Sequence, residues 1–389
     1  MLWSPPSLVA KRDAFRSAWR TLACTLGLAA FTPLYAQALS PSEALTHVRL
    51  AQDDVKTGQF ARATQRFKWL LLNDTDSPQR SKTYQEALRQ LTKRAPLTFK
   101  AAGALLPSTN VARSSSETVL RTDIGDFTIG DPDAKTGGVG LRVEARGTYA
   151  HAYQAGREAS ATLRFNTTLY DAVELRHSGF DLTLAHHWLT PGATYTMSAF
   201  AGQSIYPTVD DRTSPNSWVQ GIALNAAHVL KNGHVVRLGG SWNERLFHSP
   251  QRSYANGTTA TLSANYTFPV GERGNITVLG ALSTANLGND SYSYSGYTLG
   301  GVYARTHANG LSWSVGYSTS LRDYDDLFPL FSHARRDTSK TVSASISHKQ
   351  IQINGMTPRL SCASKQQTSN IALYDYSSID CSIKLQFDF

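Results

Sequence analysis

The chain has 389 residues, 41% of them hydrophobic and only 17% charged, with a formal net charge of +9 and a mean hydropathy of −0.30. A soluble globular protein carries about 25% charged residues, and a helical membrane protein needs apolar runs of roughly 20 residues. This chain has a single candidate run, at its N-terminus. Its abundance of Gly, Tyr, Phe, Ser, Thr and Asn excludes a polytopic helical membrane protein, a disordered chain and a disulfide-dense mini-protein. A large β-structure with one apolar and one polar face remains.

Lys11, Arg12, Arg16 and Arg20 precede the apolar segment Leu22–Phe31, and small residues follow at Ala36 and Ala38. This is the layout of a secretory signal peptide over 1–36, cleaved after Ala36 or Ala38. An anchoring helix is the alternative, but the run is short and Pro33 interrupts it. Cys24 does not read as a lipoprotein signal, because charged residues rather than an apolar segment precede it. Without the leader the chain is modestly basic, with no cluster that points to nucleic acid. Two cysteines follow the leader, Cys362 and Cys381, and an oxidising compartment permits one disulfide between them.

Residues 39–95 read as helical. Ala44, Val48, Ala51 and Val55 recur at helical spacing and Gly58 ends that segment. Phe60, Ala63, Phe67, Leu70 and Leu71 mark a second helix, and Tyr84, Ala87, Leu88 and Leu91 a third. The run Gly58-Gln-Phe60-Ala61-x-Ala63 between two short helices is similar to one tetratricopeptide repeat. Such repeats usually come in threes or more, so a plain helical hairpin packed on the next domain is the competing reading.

From Leu97 to the end the period changes to two. Ile379, Cys381, Ile383, Leu385, Phe387 and Phe389 share one face, against Ser378, Asp380, Ser382, Lys384, Gln386 and Asp388. Val342, Ala344 and Ile346 alternate with serines, and Val139, Leu141, Val143 and Ala145 with Arg142, Glu144 and Arg146. About fourteen such segments fit residues 97–389, joined by two kinds of connection. Pro191-Gly192, Asn232-Gly233, Gly271–Gly274, Asn309-Gly310 and Asn354-Gly355 read as tight turns, the Asn-Gly pairs because both residues tolerate positive φ. Val111–Thr136, Gln203–Pro215 and Arg322–Arg336 read as longer polar loops. Short turns at one end and longer loops at the other predict a transmembrane antiparallel β-barrel of about fourteen strands in an outer membrane, with lipid around it. An even strand number puts both ends of the sheet on the periplasmic side, together with the small N-terminal helical domain. The terminal Phe389 resembles the signal read by the outer-membrane barrel assembly machinery, a partner during biogenesis. Trp188, Tyr195, Trp218, Trp242, Trp313 and Tyr317 lie near predicted strand ends, where aromatic belts sit; the alternation leaves open that some fill the lumen.

Catalysis finds little support. His186 and His187 are adjacent, so in a strand their rings point to opposite faces and cannot share one metal. Asp53-Asp54 and Asp325-Asp326 have no metal-ligand pattern, and the chain lacks a nucleophile elbow, a phosphate loop, CxxC and HExxH. No enzyme activity and no cofactor are expected. Arg142, Arg146, Arg164, Arg237, Arg359 and Lys384 fall on the polar, inward phase. They form either a charged pathway or, with Glu144, Asp380 and Asp388, a network that stiffens the wall. Cys362 and Cys381 share a phase, and a loop centred near Ile371 sets them opposite each other. A cross-strand disulfide near the lipid face is expected; two small buried thiols are the alternative.

Motifs at the two ends of the barrel carry a resemblance. Phe99 through Leu106-Pro107-Ser108-Thr109-Asn110 looks like a first strand with its turn. Gly355-Met-Thr-Pro358-Arg359, then Ser369-Asn370 through Tyr376, then Phe389, looks like a last hairpin. Together with the leader and helices these resemble the surface lipoprotein assembly modifier family of Gram-negative outer-membrane proteins, also described as type XI secretion components. The resemblance implies translocation of a client lipoprotein, or a related secreted protein, to the cell surface. It implies no catalytic residues, and a polar route through the barrel or a seam between first and last strands. A passive channel or structural barrel is the alternative.

Overall fold

The computed structural model describes residues 40–115, 117–128, 137–207, 214–230 and 232–388, with side chains up to Leu385 in the last strand. The leader segment 1–36 and Phe389 lie outside the described residues. Among the described residues three helices, α1 (Pro41–Lys56), α2 (Phe60–Asn73) and α3 (Pro78–Arg94), precede the sheet. Ser40 caps α1 in a capping box with Glu43, and Pro41 stands in the first turn, where a missing N–H costs nothing. At α3 Ser77 Oγ accepts from Arg80 N–H and Pro78 stands in the first turn, without the reciprocal glutamate. The helices bury Ala44, Ala51, Ala63, Phe67, Leu70, Leu71, Tyr84, Leu88 and Leu91, and Leu189 of the sheet completes this core. That explains how so few helices suffice: the face a lone helix pair leaves open is closed by the barrel.

The barrel strands are β1 (Leu97–Ser108), β4 (Gly138–Gln154), β5 (Arg157–Leu169), β6 (His177–Thr190), β7 (Ala193–Ile205), β8 (Ser217–Val229) and β9 (Val235–Phe247). They continue as β10 (Gly257–Val270), β11 (Gly274–Leu287), β12 (Tyr294–Thr306), β13 (Leu311–Leu327), β14 (Ala334–His348), β15 (Arg359–Ser369) and β16 (Tyr376–Asp388). A small hairpin, β2 (Val119–Thr122) with β3 (Gly125–Thr128), lies in the connection after β1. The fourteen barrel strands pair in sequence, all antiparallel, and β1 pairs with β16 to close the sheet. Closure satisfies the backbone without an edge, as a lipid surroundings requires. No helix among the described residues is long and apolar enough to cross a membrane.

Strand alternation sorts the side chains. Leu141 and Val143, Leu163 and Phe165, Leu182 and Leu184, Ile222 and Leu224, Val315 and Tyr317 are exposed on the outer face. The intervening positions face the lumen, where β13 and β14 present Ser312, Ser314, Ser318, Ser339, Ser343 and Ser345. Trp188, Tyr195, Trp218, Trp242, Trp313 and Tyr317 all fall on the outward phase, so none of them fills the lumen. Tyr317 and Trp242 lie well inside their strands rather than at the ends.

Three sequence-based expectations change. The connection expected over Arg322–Arg336 is mostly strand: β13 runs to Leu327 and β14 begins at Ala334, with a register shift between Asp323 and Leu327. Charged residues that read as loop continue the ladder here because Asp323 and Arg336 pair with each other. The alternation alone starts these two strands at 252 and 355; a 3-10 helix over Pro250–Ala255 delays β10 to Gly257, and an isolated bridge between Ile353 and Met356 delays β15 to Arg359. Only Asn354-Gly355 has both φ positive, at 50° and 79°. At Asn232-Gly233 and Asn309-Gly310 the glycine alone is left-handed, as in a type I turn followed by a bulge.

Candidate functional site

The end of the barrel that carries the helices is covered on one side. Gln85 Nε2 of α3 donates to the Leu189 carbonyl at 2.7 Å, Gly192 N–H donates to the Leu71 carbonyl at 3.1 Å, and Thr92 donates to Glu158 at 3.0 Å. The helices therefore sit under the turns β4–β5 and β6–β7. Gly156 in the first of these turns has φ 74°, and a Cβ there would meet Gln85 and the Leu189 carbonyl at 2.7 Å. Within the helices, buried Asp74 accepts from Arg80 at 2.6 and 2.7 Å and from the Tyr84 hydroxyl at 2.6 Å. The Arg80 hydrogen bonds hold the Asp74 carboxyl below its ordinary range, while burial and the bond to Asp74 push the Tyr84 phenol up to about 12.

The β1–β16 seam is paired from Lys100–Asp388 to Leu105–Ile383 and again at Ser108–Asp380. The gap falls at Leu106 and Pro107, and Pro107 has no N–H to give. Side chains take over above it. Ser108 Oγ donates to Asp380 Oδ1 at 2.5 Å, Thr109 Oγ1 accepts from Ile379 N–H at 2.9 Å, and Asn110 Nδ2 donates to the Ser377 carbonyl at 3.2 Å. Asn110 is almost fully buried and also accepts from Ser114 N–H. The motif residues Pro107 and Asn110 thus stand at the seam. Cys362 and Cys381, directly paired one strand further on, are joined by a disulfide on the outer face.

The inward charges fall into neighbouring rows rather than one cluster. Lys384 reaches Glu144 across the seam at 3.3 Å, and Arg142 donates to the Thr168 hydroxyl at 3.1 Å. Arg146 stands in register between Lys100 and Arg164, and Arg164 approaches Asp181 at 3.9 Å. Arg359 lies opposite Lys384. Asp380 serves Ser108 and Ser378 rather than a cation, and the Asp388 side chain is outside the described residues. Arg237 is on β9, five strands round from β4, and does not join the others. Ala102, Ala104, Arg142, Glu144, Ser382 and Lys384 line a cavity of about 90 Å³ beside the seam.

At the opposite end the connections are clasped together. Arg335 makes a paired contact with Asp337 at 2.5 and 2.9 Å and lies over the rings of Tyr374 and Tyr324 at 3.1 and 4.5 Å. Phe328 packs edge-on against Tyr374, and Tyr292 against Phe328. Burial pushes the phenols of Tyr292 and Tyr374 up. The expected motif residues Ser369 and Asn370 belong to this clasp. Ser369 Oγ accepts from Ile371 N–H, while Asn370 accepts from Arg336 N–H at 2.7 Å and donates to the Ala334 carbonyl at 2.8 Å. Pro358 precedes β15 at the helix-bearing end, far from this clasp along the chain of β15. Sequence reasoning missed Arg335, since nothing in an Arg-Arg dipeptide separates a buried guanidinium from an exposed one. The two histidines diverge as adjacency demands: His186 meets the Tyr153 hydroxyl outside, and His187 meets Ser160 and Thr196 inside.

Solved structures show a partial likeness at low identity. OmpF of Salmonella typhi, in complex with daunomycin, matches at 9% identity and a TM-score of 0.44, over 75% of this chain and 97% of its own. The toluene transporter TodX of P. putida matches at 10% identity and 0.43, over 77% and 92%. CdiB from Escherichia coli matches at 9% and 0.41, over 74% and 63%. No curated protein sequence matches significantly. The profile described as surface lipoprotein assembly modifier matches residues 188–389, from the end of β6 to the C-terminus and just over half of the chain. The protein is an outer-membrane β-barrel, and it belongs to the surface lipoprotein assembly modifier family.

Proposed function

We propose that this chain is an outer-membrane translocon that helps deliver surface lipoproteins, or related soluble clients, to the cell surface. The observation that carries the reading is the pairing of two features in a member of this family: a helical unit docked on one side of one barrel mouth, and a seam whose backbone ladder is interrupted at Pro107. In this reading the helices lie in the periplasm and meet the client there. The uncovered part of the mouth admits it, and the seam or the lumen gives it a polar route. The cleaved leader, the barrel assembly machinery and the lipid bilayer belong to the same reading. In this reading client folding outside the cell, or binding there, supplies the direction.

Surface proteomics with and without the gene tests the proposal. A client that stays abundant but loses surface exposure supports it, and normal surface labelling of every lipoprotein in the deletion strain refutes it. One observation favours a second reading, a passive channel: the inward row Lys100, Arg146, Arg164. That reading requires steady, anion-selective conductance in planar bilayers with unchanged surface proteins.

A further inference from the structure

The outer face is not uniformly apolar. On β4 the outward positions from Tyr149 through Ala145, Val143 and Leu141 to Val139 remain without charge over the whole height of the sheet. On β13 to β15 the outward row reads Thr319, Lys340 and Gln366, consecutive partners in register. Thr338 and Thr368, also paired, lie two residues nearer the clasped end. Lys340 is exposed near the middle of β14. Among the described residues no hydrogen bond or ion pair to its ammonium is formed.

Depth places this patch inside the bilayer. A strand residue contributes ~3.3 Å along the strand, and a tilt of about 40° reduces this to ~2.5 Å of depth. The apolar band of such barrels is ~25 Å tall, about ten residues. Counted from Trp313 and Ile346, which face outward near the helix-bearing end, the band closes near Asp323 and Arg336. Those two pair with each other on the outer face. Lys340 therefore lies about four residues, ~10 Å, inside the boundary. A charge on a lipid-facing wall is costly in a depth-dependent way unless it is matched or its stem reaches the interface. Thr338 and Thr368 lie between Lys340 and the Arg336–Asp323 pair on the same outward face, so a lysine stem extended toward the rim carries its ammonium in among hydroxyl groups.

We propose that the outer face of β13–β15 binds the phosphate-bearing headgroup of an anionic lipid in the leaflet at the clasped end, with Lys340, its stem extended to the rim, as the cation and Thr338 and Thr368 as hydrogen-bonding partners. Charge complementarity selects this occupant: the patch offers an ammonium and neutral donors to a surface where phosphate is the available anion. The inference uses only the position of the barrel in the membrane and not the translocation reading.

Native mass spectrometry of the full chain in detergent, with diphosphoryl lipid A added, tests it. The wild type should retain lipid A adducts, Lys340→Leu should lower their fraction at least tenfold, and Arg305→Gln, outward near the helix-bearing end, should leave them unchanged. Gel mobility without heating verifies that each variant is folded, and Lys340→Arg should restore binding. Equal adducts on Lys340→Leu overturn the proposal. Loss of the adducts with millimolar inorganic phosphate overturns it in favour of a free-anion site. A wild-type dimer that Lys340→Leu converts to monomer overturns it in favour of a second copy.

Discussion

Ser108 Oγ donates to Asp380 Oδ1 at 2.5 Å, tying the first strand of the barrel to the last across 272 residues of sequence. The contact stands just past the point where Pro107 interrupts the ladder. It is charge-assisted, and such bonds contribute about 1.5–3 kcal/mol. Asp380→Ala is expected to loosen this end of the seam and leave both Ser108 and Ser378 without their acceptor. Hydrogen exchange should rise at Thr109 and Ile379 and stay unchanged in β9 and β10; equal protection in the variant would contradict the role of this contact.

The Cys362–Cys381 bond closes a loop of 19 residues. A disulfide over such a loop contributes about 3 kcal/mol in the chain-entropy account. The unreduced protein should take up no thiol reagent at either position, and the double change to serine should lower the urea midpoint of unfolding. A mass increase on labelling without reductant would show that the bond is absent.

Asp74 supplies a pH dependence to the helical unit. Its folded pKa lies below the unfolded carboxylate value because of Arg80, so its stabilisation is present above that unfolded value and is lost as pH falls through the folded one. Tyr84 works in the other direction. Its folded pKa is raised to about 12, so its contribution is complete below about 10 and disappears as pH rises toward 12. Asp74→Ala leaves Arg80 and Tyr84 without their acceptor and is expected to cost roughly 3–5 kcal/mol. Thermal unfolding of the helical signal should show a flatter acid limb in this variant; an unchanged limb would assign the acid sensitivity elsewhere.

Arg335→Lys tests the clasp. Lysine keeps the charge but loses the planar face that lies over Tyr374 and Tyr324 and the paired contact to Asp337. Limited proteolysis should cut the 328–333 and 370–375 connections faster, by about tenfold for a loss of roughly 1.4 kcal/mol. An unchanged cutting rate would mean that the surrounding aromatic packing alone holds the connections.

The alternation of β16, β14 and β4 was legible because one phase is apolar and the other carries Ser, Arg or Lys. The helical spacing of Ala44, Ala51, Phe67 and Leu88 was legible for the same reason. The extended ends of β13 and β14 were not, because their ladder passes through charged residues that satisfy one another across strands. The neighbours of Arg146 depend on register, which the connections set over many residues. Gln85 binds a backbone carbonyl, and no side-chain pattern announces such a contact. Lys340 shows the limit of the rule that the outer phase is apolar: its strand alternates correctly, yet the outward member is a cation.

The bond between Cys362 and Cys381 also restricts error. A β-hairpin that slips by one residue turns every side chain to the opposite face. In the last hairpin that slip would bury Ile379 and Ile383 in a polar lumen and turn Asp380 and Lys384 toward lipid. A covalent tie between residues directly opposite each other removes the slipped pairing from the accessible states. The strand that must find β1 and close the barrel therefore arrives with its phase already fixed.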